Sequence, residues 1–586
     1  MNYALNKNNE VGKNKVSAWT SLKKLGPLLA NEKKNIFLAF FAIIITSGST
    51  LLAPIMISHT VDNYIMTKDF RGILIFSGIL LGIFLLGLIS SYLQTIIMGG
   101  VGRRTLFNLR NKIFLKLQEL PVVFFNQNKA GDLISRINND TDKLNQFFSQ
   151  ALMQFIGSFF MIVGAGIFLL SLNLKLGAAS LTPALLVLII TQLISAWVKK
   201  RNAQSLKTTG GMTGEIQESL TNFRVIVAFN RMDFFREKFN QANEINYNAA
   251  VKAGIANNIF TPLYGLASNL AQLAVIAYGI YLITGGNLTL GLLIAFLLYV
   301  NSFYAPLRQL AAVWSSFQLA LASLERISEV LDLETNLPVI PSKKIESNLA
   351  LSFKDVSFKY PDGKEVLKDI NFDLEAGKTY ALVGPTGGGK TTTASLMARL
   401  YDPTTGKILL DGKDLRSYTA DERAKKIGFI LQEPFLFTGT VRDNLLYSNE
   451  TYFDYSNEEF EKLLERENLT RLLDRFNDGL ETPVQSSGNS LSLGQKQLIA
   501  FMRAVLRKPE ILILDEATAN IDTITEELLE EILDKLPKTT TRIIIAHRLN
   551  TINSADEIFF INEGQITLAG SMEHAVDMLM NKERES

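Results

Sequence analysis

The sequence predicts an α-helical membrane domain of six transmembrane helices with long cytoplasmic extensions, followed by an α/β P-loop domain. Three observations carry this. Six apolar stretches reach the roughly 20 residues that cross a bilayer as helix. From Leu351 onward, short apolar strands alternate with helical patterns. A glycine-rich run, Gly384–Thr391, follows one of those strands and opens a helix.

The chain has 586 residues, too many for one domain. Its apolar residues are unevenly spread, with most long apolar runs before about residue 320. The expected division is a cytoplasmic N-terminal segment at 1–35, a transmembrane domain at 36–330, a linker at 331–350 and the α/β domain at 351–586. A net charge of +2 gives no bulk attraction to nucleic acid, so none is expected as a partner. The chain has no cysteine, which excludes disulfides, cysteine-based zinc sites and cysteine nucleophiles. The three histidines, His59, His547 and His574, are too scattered in sequence to suggest a metal cluster.

The apolar stretches fall at about 36–58, 73–99, 151–172, 176–198, 260–284 and 289–312. Runs such as 72–93 lack the polar face of a soluble helix. The first stretch is too long and too late for a cleaved leader. The segments after the second and fourth stretches each run to about 50 residues and are basic, with Arg103, Arg104, Arg110, Lys112 and Lys116 in one and Lys199, Lys200, Arg201 and Lys207 in the other. The N-terminal tail is basic as well. By the positive-inside bias, all three face the cytoplasm, as does everything after the sixth stretch. Leu106, Leu109, Ile113, Leu117 and Leu120 recur at helical spacing, as do Ile216, Leu220 and Phe223. Both long segments therefore read as helices continuing out of the membrane, joined by turns such as the one expected at Asn126–Gly131.

In the α/β domain, Gly384, Pro385, Thr386, Gly387, Gly388, Gly389, Lys390, Thr391 and Thr392 form the phosphate loop and the start of its helix. Glycines let successive backbone N–H groups face phosphate without a Cβ in the way. The helix N-terminus adds its positive dipole end. Lys390 is placed to reach the β- and γ-phosphates, and Thr391 to ligate Mg²⁺. Ile511–Leu514 reads as a buried strand ending in Asp515 and Glu516. Asp515 suits an Mg²⁺ site through water, and Glu516 suits a general base that activates the attacking water.

Leu491, Ser492, Leu493, Gly494 and Gln495 stand about 20 residues before Asp515. With this run the constellation resembles the ATP-binding cassette family, and the resemblance covers nearly the whole chain. It implies an ATP hydrolase coupled to transmembrane transport, with ATP and Mg²⁺ as cofactors. In that family the signature closes over ATP held by the other cassette of a dimer, so Leu491–Gln495 would act on a partner's nucleotide. Tyr360 resembles the aromatic residue that stacks on adenine. Gln432 resembles the glutamine that senses Mg²⁺ and faces the membrane domain. Ala519–Asp522 resembles the loop that crosses the dimer interface. His547, ending an apolar strand, resembles the histidine that contacts the γ-phosphate. The membrane half resembles that of six-span exporters, including Gly131–Asp140 in the first extension, and implies short coupling helices that dock on the cassettes. Glu215–Phe229 occupies the matching place in the second extension.

The sequence departs from the family pattern at Leu493, where glycine is usual, at Ser486, where glutamate is usual, and in the wording of the crossing loop. These positions act on the partner's nucleotide, whereas those acting on the chain's own nucleotide match. The asymmetry favours pairing with a different half-transporter, the alternative being a homodimer that tolerates Leu493. Polar residues in the spans, Asn269 and Gln272 in the fifth and Tyr299, Asn301, Tyr304, Arg308 and Gln309 in the sixth, point to a cavity or to helix contacts. The resemblance implies export of a hydrophobic or amphipathic drug or lipid across the cell membrane. The rival readings are uptake by the same fold and a membrane-tethered ATPase that transports nothing.

Overall fold

The computed structural model describes residues 3, 5, 30–334, 337–361, 363–432, 434–467, 469–485, 491–515, 523–545, 555–570, 573–575 and 577–578, without the side chains of 311, 312, 314 and 315. The chain divides into two compact units. One comprises residues 8–118 and 130–332, and the other residues 1–7, 119–129 and 333–586.

In the first unit the helices are α1 (Lys33–Thr60), α2 (Phe70–Glu119), α4 (Ala130–Leu172), α5 (Leu174–Thr221), α6 (Phe223–Ala228), α7 (Met232–Asn258), α8 (Phe260–Thr284) and α9 (Leu290–Leu331). The short helix α3 (Val122–Gln127) belongs to the second unit. Among the described residues, six helical segments are long and apolar enough to cross a membrane. Their outward faces are apolar, with Phe84, Leu85, Leu88 and Ile89 of α2 exposed. That surface suits hydrocarbon rather than water. α2 and α5 run 50 and 48 residues, so each extends well beyond the roughly 30 Å hydrocarbon core. The connections α1–α2, α4–α5 and α8–α9 are short, and the Asn173 side chain caps α5 by accepting from Leu176 N.

At the start of α9, Asp62 accepts from Gly291 N at 2.8 Å and from Thr289 Oγ1 at 2.6 Å. Asp62 thereby fastens the first span to the sixth. Gly291 is needed there, because a Cβ would sit 2.3 Å from Ser58 O. Deeper in the unit, Tyr299 donates to Leu51 O and Tyr304 to Ser180 O, so both phenols are satisfied in the helix core.

Two π-helical turns, Arg136–Asp140 and Phe147–Ala151, interrupt α4. The first aims Arg136 into the unit, where it is 1% exposed. Its guanidinium meets Asp132 at 2.9 Å and Glu329 at 2.8 Å and also donates to the Arg326 carbonyl. Arg326 in turn pairs with Asp132 at 2.9 Å and Asp140 at 3.2 Å. The Gly131–Asp140 run therefore ties α4 to the C-terminal end of α9.

Among the described residues the second unit carries two larger sheets, besides a two-residue ladder between Gly439–Thr440 and Pro483–Val484. Antiparallel strands β1 (Leu349–Lys359), β2 (Glu365–Glu375), β4 (Thr405–Leu410) and β5 (Lys413–Asp414) form one, in the order β2-β1-β4-β5. The other contains β3 (Thr379–Val383), β6 (Ile427–Ile430), β7 (Ile511–Asp515), β8 (Thr541–Ile545), β9 (Glu557–Asn562) and β10 (Gln565–Leu568), in the order β10-β9-β3-β8-β7-β6. It is parallel except for the β9–β10 hairpin. The parallel strands are nearly continuous runs of Ile, Leu and Val, as expected where both faces are covered.

The short helix α3 packs within this second unit. Pro121 restarts the chain after α2, since its fixed φ suits a helix beginning. The sequence placed a turn at Asn126–Gly131, but α3 holds Asn126 and Gln127, and Asn128 is its extended C-cap. The chain near its N-terminus pins α3 in place. Tyr3 N donates to Gln127 Oε1 at 2.7 Å, and the Asn128 side chain donates to Tyr3 O while accepting from Leu5 N. Tyr3 Oη reaches Glu334 O at 3.1 Å.

Candidate ATP site

The phosphate loop leaves the buried end of β3 and feeds α10 (Lys390–Met397). Gly384, Gly387 and Gly389 have φ of +142°, +83° and +117°, which L side chains rarely adopt. A Cβ on Gly384 would also lie 2.0 Å from Ile561 O, so β9 closes over the loop from behind. Lys390 is 6% exposed and folds back over the loop, donating to Gly384 O at 2.8 Å and Pro385 O at 3.0 Å. Those carbonyls hold the ammonium over the loop. The loop helix begins without a side-chain cap. Its first N–H groups and dipole are thus available to an anion.

Parallel pairing of β7 between β8 and β6 carries Asp515 to the same edge of the sheet as the loop. Asp515 is 5% exposed, and Thr391 Oγ1 lies 3.4 Å from its Oδ1. A hydroxyl and a carboxylate side by side at the loop mouth are hard oxygen donors of the kind Mg²⁺ takes. Gln432 lies exposed just beyond the end of β6. Ile545, which ends β8, stands opposite Asp515 in the ladder. The sequence-predicted Glu516, Asp522 and His547 lie outside the described residues.

Tyr360 follows β1 and is half-buried, with its hydroxyl 3.0 Å from Thr392 Oγ1. Phe358 and Tyr401 meet its ring edge-on, at centroid distances of 4.9 Å and 5.3 Å. Tyr401 went unnoticed in the sequence. It follows the loop helix, where Arg399, 2% exposed, grips Asp402 and the carbonyls of Pro338, Arg416 and Tyr418. Burial pushes the Tyr401 phenol up, and donation from Asn126 partly offsets this. It is therefore neutral near pH 7 and accepts from Asn126 Nδ2 at 2.9 Å. The only cue in the sequence was an Arg two residues before a Tyr at the end of a helix.

The signature run forms the start of α11 (Leu493–Leu506). Ser492 is its N-cap in a reciprocal box, with Ser492 Oγ accepting from Gln495 N at 3.2 Å and Gln495 Oε1 accepting from Ser492 N at 2.8 Å. Gln495 Nε2 also donates to Arg475 O at 2.6 Å. Leu491 is buried, and Gly494 packs against Thr525, where a Cβ would be 3.1 Å from Cγ2. Leu493 is 37% exposed and is not among the residues of positive φ. No backbone demand for glycine exists at that position.

Residues 36–307 match the family model of the ABC transporter transmembrane region, and residues 367–519 match the family model described as ABC transporter. An uncharacterized ABC transporter ATP-binding protein of Bacillus subtilis is 32% identical over 95% of this chain and 92% of its own length. A multidrug resistance ABC transporter ATP-binding and permease protein of Lactococcus lactis is 33% identical over 82% of this chain and 81% of its own. An ATP-dependent lipid A-core flippase of Pectobacterium atrosepticum is 29% identical over 95% of each chain. With a six-span membrane region and a nucleotide-binding cassette fused in one polypeptide, the chain belongs to the ABC transporter family and couples ATP hydrolysis to transport across a membrane.

Proposed function

We propose that the chain is one half of a dimeric exporter that moves hydrophobic or amphipathic molecules, drug or lipid, out across the cell membrane by alternating access. The observation that carries the dimeric part is the signature. Its capped helix start is complete, and its Leu493 stands exposed in the single chain. Two further surfaces support a second chain. α6 exposes Phe223, Val225 and Val227, followed by Phe229, and the cassette exposes Leu431, Phe435, Phe437 and Tyr447. Contiguous apolar patches of this kind are typical of protein–protein interfaces.

The membrane-depth polar groups support a cavity for amphiphiles. Gln272 donates to Asn301 Oδ1 at 3.1 Å, and Asn301, Arg308 and Gln309 are exposed along one stretch of α9. The multidrug transporter and the lipid A-core flippase among the relatives carry substrates of the same class by name. The basic extensions support a cytoplasmic N-terminus and cassette.

In this reading, Tyr360 stacks on adenine, Gly384–Thr392 binds the triphosphate, and Thr391, Gln432 and Asp515 hold Mg²⁺, which neutralises phosphate charge when bound. Glu516 acts as general base towards water, and His547 steadies the γ-phosphate. Leu491–Gln495 and Asp522 serve the partner's nucleotide. Closure of the two cassettes on ATP gives the differential stabilisation needed to switch the membrane domain. Glu516→Gln is expected to lower hydrolysis by roughly 10²–10⁴-fold. Near-normal turnover would remove Glu516 from its role.

A heterodimer is favoured over a homodimer. Leu493 brings an apolar side chain to the partner's triphosphate, while the chain's own site keeps its hydrolytic residues. Expressed alone, the chain should show little substrate-stimulated ATPase. A purified homodimer with full stimulated turnover would overturn the pairing.

A further inference from the structure

We propose that the segment holding Tyr3 and Leu5 is a clip that fastens together, inside the second unit, points at which the chain passes to and from the membrane unit, and that the clip sets how much transport each hydrolysed ATP yields. This rests on the reading of the chain as an exporter. The chain passes between the units after residues 7, 118, 129 and 332. Tyr3 and Leu5 meet residues beside two of the other passages. Tyr3 N donates to Gln127 Oε1 at 2.7 Å, and Leu5 N donates to Asn128 Oδ1 at 3.0 Å. Asn128 Nδ2 donates to Tyr3 O at 3.0 Å. Tyr3 Oη donates to Glu334 O at 3.1 Å, just past the end of α9.

The clip is bound as a peptide ligand is bound. Bonding one residue through its carbonyl and the residue two further on through its N–H is what a residue of a parallel strand does to its neighbour. The Asn128 side-chain amide stands in for that strand edge, a mode of capture that takes backbone whatever its side chains. Selectivity then falls to the side chains, with Tyr3 3% and Leu5 9% exposed. The Tyr3 ring stands edge-on to Phe124 at a centroid distance of 6.5 Å and lines a cleft with Pro121, Val123 and Leu337. α3 has six residues and no side-chain cap, so it has little stability of its own. With the clip seated, α3 and the chain leaving α9 are held as one body. Without it, they are joined only through the rest of the cassette.

The test compares the full-length transporter with a variant lacking residues 2–7, with Tyr3→Ala and with Asn128→Ala. In lipid nanodiscs at fixed nucleotide, each variant should speed hydrogen exchange of the amides of 122–128 by roughly 2–10-fold, the worth of one net hydrogen bond. In reconstituted vesicles, the amount of labelled lipid or cationic dye moved per ATP hydrolysed should fall by a similar factor, while basal hydrolysis stays at the parent level. A synthetic peptide of residues 1–10, added at about 5 mM to exceed the millimolar effective concentration of a tethered segment, should restore both readings in the deletion variant. The same peptide carrying Tyr3→Ala should not. The intact peptide should not rescue the deletion when it is combined with Asn128→Ala.

Unchanged exchange at 122–128 in both the deletion variant and Tyr3→Ala overturns the clip. Faster exchange with unaltered transport per ATP overturns its role in transport. If the deletion variant keeps parental exchange in the parallel strands β3, β7 and β8, it is folded, and failure of the peptide to rescue it then overturns the peptide site. A parent protein that hydrolyses ATP but moves neither probe removes the exporter reading, and the exchange measurements still judge the clip.

Discussion

Arg136 shows how a buried charge can hold two distant segments together. Its side chain is 1% exposed, and its carboxylate partners come from one turn earlier in α4 and from α9, 193 residues later. Such a charge is tolerable only while its partners are in place. Arg136→Ala is expected to destabilise the membrane unit by about 3 kcal/mol, toward the low end because Asp132 and Glu329 keep some access to water. Thermal unfolding of the purified protein in detergent measures this, and an unchanged transition would show the network to be dispensable. The Gly131–Asp140 run was conspicuous in the sequence through its resemblance to the first extension of six-span exporters. Its charges pair with α9, which no local pattern encodes. At the ATP site the residues that are local in sequence were the legible ones. A phosphate loop is a contiguous run after a strand, and Asp515 ends an uninterrupted apolar strand. Tyr401 and Asn126, 275 residues apart, were not legible, because their bond exists only once α3 folds beside the loop helix.

Among elements, length and hydrophobicity made the spans readable. Each apolar stretch noted in the sequence lies within a helix, and α2 and α5 continue outward without a break, as the periodic leucines required. Leu109, Ile113 and Leu117 bury that periodic face in α2. Leu220 and Phe223 leave theirs exposed in the single chain, although the spacing is the same. Periodicity marks an apolar face without saying what will cover it. Short elements were harder to read. α3 is less than two turns long, too brief for a period, and only Pro121 hinted at its start. The link at the head of α9 was also hidden, since a lone Asp near a span end reads as interfacial. Asp62→Ala removes the acceptor for both Gly291 N and Thr289 Oγ1 and should cost about 1 kcal/mol, as loss of a helix cap does. Asp62→Asn, which keeps an acceptor oxygen, should recover most of that in the same unfolding measurement. Equal losses in the two variants would show that the contact with α9 is not what Asp62 contributes.

For the molecule as a whole, the fold assigns hydrolysis and transport to separate units of one chain. The cassette brings Thr391 and Asp515 together at the mouth of the loop and presents the signature elsewhere, capped and facing outward. In the proposed dimer such a divided site is completed by a second chain, and ATP is the ligand that favours the closed pair over the open one. In that proposal the altered signature position bears on which chain that is, because Leu493 would meet nucleotide only across the interface.

The most direct test of the central claim, that hydrolysis at this chain's own site drives export of amphiphiles, is a transport measurement in reconstituted vesicles. The chain, with and without its partner subunit, is inserted with its cassettes outward, and movement of a labelled lipid and of a cationic dye into the lumen is followed after ATP addition. The account predicts ATP-dependent movement of at least one of the two in the parent protein and its loss in Glu516→Gln. Movement that persists in Glu516→Gln, or ATP hydrolysis with no movement of either probe by the chain alone or paired, would contradict it.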